Sequence, residues 1–294
     1  MYDGACLSDF PLADPVLADP VLADPVRLQR ATGEVRVGIR RRDGRPALAD
    51  LRQAGCLKAR FPRPIMPDWL DVVTLNTGGG VAGGDRLSLA VSVRAGAQAV
   101  VSAQAAERFY RAAAGDVPSS VRTQLTVAEG AALDWLPQET ILFDGSALDR
   151  RLDVDVAADA RFLGVETLVF GRAAMGETVR RAWLRDMIRV RRDGALLLHD
   201  AIRLEGDADA ILRRRAVGGG ARVVATVLWV APGAETLVDP VRAALDGAEA
   251  GVSAWNGMLV ARVLGDDSAR VRRAVMAALS VPRMARPLPR VWLC

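Results

Sequence analysis

The sequence predicts a mainly β protein: stacked, β-helix-like layers of sheet with a few short helices toward the C-terminus. Three observations predict it. Apolar residues recur with a period of two in short runs, the mark of half-buried strands: Val35, Val37 and Ile39; Leu87, Leu89, Val91 and Val93; Leu152, Val154 and Val156. An internal repeat aligns VSVRAGAQAVV from Val91, LTVAEGAALDW from Leu125 and VDVAADARFLG from Val154, each reading strand, tight turn, alanine, strand. Its matching alanines, Ala97, Ala131 and Ala160, lie 34 and then 29 residues apart, a spacing that favours stacked layers over a doubly wound nucleotide fold. Helical periodicity appears only late, in Pro240–Leu245 and in Asp266–Leu279, where Val271, Val275 and Leu279 recur every four residues.

Taken in order, Pro11–Val26 reads PLADPVLADPVLADPV. Its prolines remove backbone donors and oppose both helix and central strand, so residues 1–26 are expected to be a disordered tail and 27–294 a single domain. Leu75–Leu87, LNTGGGVAGGDRL, packs five glycines into seven positions, backbone that takes positive φ or approaches something closely. As a phosphate cradle it lacks a following Lys-Ser or Lys-Thr, and Asp85 sets negative charge where a phosphate needs a donor. No strand, helix and distal acid of a dinucleotide unit surround its Gly-x-Gly-x-x-Gly match. An irregular turn presenting Asp85 is the better reading; the alternative is a nucleotide-dependent enzyme using residues 78–84 and His199. The second strand of each repeat leads to an acid, Glu107, Glu139 and Glu166, which line up along one side if the layers stack in register. Asp193-Gly194, between Met187–Val190 and Ala195–Leu198, signals a hairpin because both residues tolerate the positive φ of a type I′ turn.

The 294 residues are 51% hydrophobic and 25% charged, a globular composition that excludes wholesale disorder. The longest apolar stretch, Val223–Pro232, falls far short of the ~20 residues of a spanning helix, and Met1–Phe10 lacks the basic start and apolar centre of a signal peptide. A cytoplasmic protein without membrane contact is expected. Net charge is only +4, Lys58 is the sole lysine, and the clusters Arg40–Arg42 and Arg213–Arg215 have no interleaved aromatics. Without such stacking platforms, nucleic acid is not an expected partner. Cys6, Cys56 and Cys294 are scattered, which suggests neither a disulfide framework nor a zinc site. With one histidine, His199, the chain cannot gather the imidazoles and thiolates of a tight zinc, copper or nickel site. No tightly bound cofactor is expected, and any metal must be handled weakly or through oxygen. His199 adjoins Asp200, but no Gly-x-Ser-x-Gly elbow accompanies it. Asp134, Glu139 and Asp144 have no separation fixed by sequence. The chain does not read as an enzyme.

Five segments in order, LNTGGGVAGGDRL, SAQAAERFYRA from Ser102, LDWLPQETILFDG from Leu133, FGRAAMGE from Phe170 and RPLPRVW from Arg286, together resemble the urease accessory protein UreD family, called UreH in some organisms. The resemblance spans most of Arg27–Trp292 and leaves out the Pro-Val-Leu-Ala-Asp tail. It implies a mainly β, non-catalytic scaffold that binds apo-urease and UreF, reaches the GTPase UreG through UreF, and offers an internal passage for nickel in transit. A conduit must admit an ion and release it, and carboxylate or carbonyl oxygens hold nickel more loosely than imidazole or thiolate. Carried over motif by motif, the acids of that path fall on Asp85, Glu166 and Asp200, with Glu177, Glu107 and Glu139 added as further candidates. Arg108, Tyr110 and Arg111 read as partner contacts, with Phe109 as packing. Each acid also has a plainer role open to it: Asp85 can cap its glycine turn through backbone amides, and Glu139 can pair with an arginine.

Overall fold

Alternating apolar rows fold the chain into two large sheets. The computed structural model describes residues 29–284 and 286–293; the predicted tail, with Cys6, and also Cys294 lie outside the described residues. The strands are β1 (Thr32–Arg42), β2 (Arg45–Gly55), β3 (Leu57–Arg60), β4 (Leu70–Asn76), β5 (Arg86–Val93), β6 (Gln98–Ala103), β7 (Glu107–Phe109), β8 (Ser119–Val127) and β9 (Ala132–Leu136). Then come β10 (Thr140–Leu142), β11 (Ser146–Val156), β12 (Arg161–Phe170), β13 (Ala182–Arg192), β14 (Ala195–Gly206), helix α1 (Ala208–Leu212) and β15 (Val223–Val230). The end of the chain adds α2 (Val238–Ala244), β16 (Glu249–Trp255), β17 (Met258–Gly265) and α3 (Ser268–Ser280).

The first sheet runs β14-β13-β11-β8-β5-β1-β2 and the second β16-β17-β15-β12-β9-β6-β4-β3, with β10 pairing β12 and β7. β5, β8 and β11 are parallel neighbours in the first sheet, as are β6, β9 and β12 in the second. The chain thus lays down one strand of each sheet per layer. The repeat is this layer. At each corner the alanine amide bonds the carbonyl three residues back, Ala97 to Arg94, Ala131 to Ala128 and Ala160 to Ala157. All three alanines are buried, so a larger side chain would strike the layer above or below.

Val35, Val37, Val91, Leu125 and Val154 from the first sheet meet Val72, Val101, Leu133 and Phe162 from the second in one core. The outer face of the second sheet, through Leu136, Leu163 and Val165, is covered by Val271, Val275 and Leu279 of α3 and by Trp292. Covering on both faces explains why β9 and β12 are apolar almost throughout rather than alternating. Asp267 starts α3 by accepting the Arg270 amide at 2.9 Å.

The predicted helices form with ends shifted by one or two residues. The Asp193-Gly194 hairpin forms with φ of 50° and 78°, but its strands run the full length of β13 and β14, well past Met187–Val190 and Ala195–Leu198. Asp43-Gly44 and Asn256-Gly257 make hairpins with the same paired positive φ, a signal the sequence reading passed over.

Candidate functional site

Two strands carry a charge in an inward row that is otherwise apolar apart from Ser146. On β11 the row is Ser146, Leu148, Arg150, Leu152, Val154 and Val156; on β13 it is Ala182, Leu184, Asp186, Ile188 and Val190. Parallel register sets Arg150 beside Asp186, and the guanidinium meets that carboxylate through two bonds of 2.8 Å. A third nitrogen reaches Glu166 of β12 at 2.6 Å and the Thr140 hydroxyl at 2.9 Å. The Trp135 indole donates to the other Glu166 oxygen at 2.7 Å. Burial works against the charge of Arg150, but Asp186 and Glu166 outweigh it and hold the guanidinium more firmly protonated. Burial pushes the Glu166 carboxyl up, against the pull of Arg150 and Trp135.

A cavity of about 190 Å³ lies between the sheets, lined by Asn76, Gly80, Glu107, Thr140, Arg150 and Glu166 among others. A second space of about 10 Å³, close to what one water needs, is lined by Arg150, Glu166, Asp186, Asp200 and Thr226. The two share Arg150 and Glu166. Glu107 faces the larger cavity with no ion pair among the described residues; Asn76 Nδ2 donates to both its oxygens at 3.3 Å. Burial pushes its carboxyl up, and the Asn76 amide offsets part of that. Asp200, on β14, is salt-bridged to Arg262 at the edge of the smaller space.

The other candidate acids lie elsewhere. Asp85 is buried and accepts the amides of Ala31 at 2.7 Å and Ala82 at 2.8 Å, the capping role left open to it. Glu177 binds Arg172 at 2.8 Å and the Asp144 amide at 3.2 Å, and the Arg172 contact pulls its carboxyl below the usual range. Glu139 pairs with Arg272 at 2.7 Å. The three repeat acids do not form one row: Thr140 is level with Glu107 and Leu168, which puts Glu139 one position and Glu166 two positions out of step. Glu107 and Glu166 line the cavity; Glu139 does not.

Four amides of the glycine turn are engaged, three of them within the turn. Gly78 bonds Asn76 Oδ1, Val81 bonds the Arg108 carbonyl, and Ala82 and Asp85 bond each other's oxygens. The Tyr110 hydroxyl donates to the Gly79 carbonyl at 2.7 Å.

The sequence that builds this layered body has matching relatives. A model of the UreD urease accessory protein family matches residues 31–293. The chain belongs to the UreD family. Curated relatives called urease accessory protein UreD include one from Dinoroseobacter shibae, 52% identical over 90% of this chain and 93% of its own length. One from Azorhizobium caulinodans is 45% identical over 90% and 97%.

Two of the five UreD-like segments prove to be partners in space. Asp134 of LDWLPQE is salt-bridged to Arg283 and, at 3.1 Å, to Arg286. The Trp292 indole donates to the Leu136 carbonyl at 3.0 Å and Gln138 to the Val291 carbonyl at 2.7 Å. In this UreD-family chain Arg108 is exposed and also lines the larger cavity, Tyr110 packs edge-on against Phe143 at 5.2 Å, and Arg111 holds Asp144 at 2.6 Å. Sequence reasoning missed Arg150 and Asp186. A charge at an inward position of a period-two run was the available signal, since the Leu152, Val154, Val156 row extends back through Arg150.

Proposed function

We propose that this UreD-family chain acts without turnover in urease maturation, passing nickel toward apo-urease through its inter-sheet cavity while bridging urease to UreF and, through UreF, to UreG. The observation that carries the reading is Glu107: a carboxylate facing a cavity, bound to an amide rather than a cation. Family membership supports the urease connection. Beyond Glu107 the cavity leads to Glu166, and the adjoining space to Asp186 and Asp200, oxygen donors of the kind that exchange a divalent ion quickly. Among the described residues no group of three or more His, Cys, Asp or Glu is arranged to hold a metal; in this reading the ion is cargo in transit. Asp85 and Glu177 line neither space; Asp85 holds the glycine turn and Glu177 the segment around Arg172. The exposed face bearing Arg108, Tyr110 and Arg111 is the partner-contact surface, and the cytoplasm is where urease and its accessory chains would meet.

The test is co-expression with urease subunits, UreF and UreG. Glu107→Ala is expected to leave the complex assembled, as judged by co-purification, and to lower nickel per urease active site at least fivefold. Full loading by an assembled Glu107→Ala complex refutes the passage, and failure of the unaltered chain to co-purify with urease or UreF refutes the partnership.

A further inference from the structure

The charged cluster around Arg150 needs an explanation that stability does not supply. Replacing a buried ion triad with apolar residues of similar volume is often neutral or stabilising, and both rows that carry it are otherwise aliphatic apart from Ser146. Its position is more telling. Arg150 and Glu166 line the larger cavity and also the smaller one, so a route joining the two would run past the guanidinium. Four oxygens converge on that one group: Glu166 Oε2, both Asp186 carboxylate oxygens and Thr140 Oγ1, all within 2.6–2.9 Å. This is an oxygen cage of two negative charges, occupied by a side chain of one positive charge.

We propose that Arg150 is the plug of the passage: a resident cation that fills the cage at the waist and keeps its two carboxylates from trapping the divalent ion in transit. The proposal rests on the reading of the cavity as a nickel path. With Arg150 in place the waist carries a net charge of −1, enough to attract a divalent cation; without it the charge is −2 around a vacated, oxygen-lined position, a composition suited to retaining one. Arg150 thereby sets how long the ion stays.

Equilibrium dialysis of the full-length chain against nickel chloride alone reads this directly, with circular dichroism as the check on folding. Arg150→Met is expected to gain one equivalent of nickel bound at least tenfold tighter than in the unaltered chain, whereas Arg150→Lys, which keeps the resident charge, gains none. A folded Arg150→Met with unaltered nickel affinity overturns the proposal, as a merely structural arginine would give that result; so does an equal gain in Arg150→Lys, because the resident charge would then not be what keeps the ion out. Should Arg150→Met not fold, Asp186→Asn decides in the assembled complex: its waist is neutral, so urease activation is expected to slow at least tenfold, and unchanged activation overturns the plug. The dialysis contains no urease, so its failure counts against the plug alone; failure of the unaltered complex to load urease counts against the passage itself.

Discussion

Asp134→Ala is expected to be among the most destabilising single changes in the body of this protein. The side chains of Asp134 and Arg283 are 2% and 3% exposed, and Arg283 also donates to the Pro287 carbonyl at 2.5 Å. Arg286 adds a second pairing to Asp134 while its guanidinium lies 3.8 Å from the centre of the Trp69 ring. Removing the carboxylate leaves Arg283 buried and uncompensated, at a cost of about 3–5 kcal/mol. At ~2–4 °C per kcal/mol for chains approaching this size, the midpoint of thermal unfolding should fall by roughly 6–20 °C. Circular dichroism melts of the full chain measure it. The companion experiment replaces both charges: Asp134→Leu with Arg283→Met should recover most of the loss, since no buried ion is left unpaired. A loss below ~1 kcal/mol in Asp134→Ala, or a double variant no better than the single one, refutes the claim that this pair latches the C-terminal tract onto β9.

Glu107→Gln should be more stable than the unaltered chain at pH 8 and lose that advantage toward pH 4. Burial raises the folded pKa of Glu107 above 4.5, so its stabilising contribution is whole below the unfolded value and is lost as pH climbs through the folded one; identical pH profiles of urea midpoints would count against it. Gly80→Ala should cost about 1–3 kcal/mol from backbone strain alone, because Gly80 has φ of +145° and an added Cβ would sit 2.3 Å from Tyr110 Cε2. Adding Tyr110→Ala should relieve the contact but not the strain, which a double-mutant cycle on denaturant midpoints separates. Trp135→Phe removes the indole bond to Glu166 and should cost about 1.5–3 kcal/mol as a bond to a charged group, read by the same melts.

What the sequence made legible was local. Period-two rows located β1, β5 and β11, and Val271, Val275 and Leu279 located the buried face of α3. The corner alanines gave the layered architecture, because a turn that repeats in space must repeat its small residue. Strand ends were not legible: β13 and β14 run beyond their apolar stretches into Arg, Asp and Glu, since hydrogen bonding to a neighbour extends a strand past the point where burial rewards it. The site was legible only in part. Glu107 and Glu166 stood out by their place after the repeat, but Glu139 shared that place and pairs with Arg272 instead. Arg150 and Asp186 were hidden because their partners are decided by the register between β11 and β13, which no single strand encodes.

The same arithmetic explains why a cavity exists at all. Glu107, Glu139 and Glu166 follow their corner alanines by ten, eight and six residues, so the repeat is regular at the corner and unequal beyond it. β6 stops at Ala103 before β7 resumes at Glu107, β9 stops at Leu136 before β10 resumes at Thr140, and β12 runs unbroken through the same level. Gln104, Ala105, Ala106, Pro137 and Gln138, five of the six residues of those two interruptions, line the larger space. Where the layers are equal, valine, leucine and alanine close the interior; where they are unequal, two strands leave the sheet together and polar side chains reach the gap. Repetition therefore builds the rigid walls, and the departure from repetition opens the space between them. Lengthening the Pro137–Glu139 interruption should thus alter nickel loading before it alters stability, whereas enlarging a corner alanine should do the reverse.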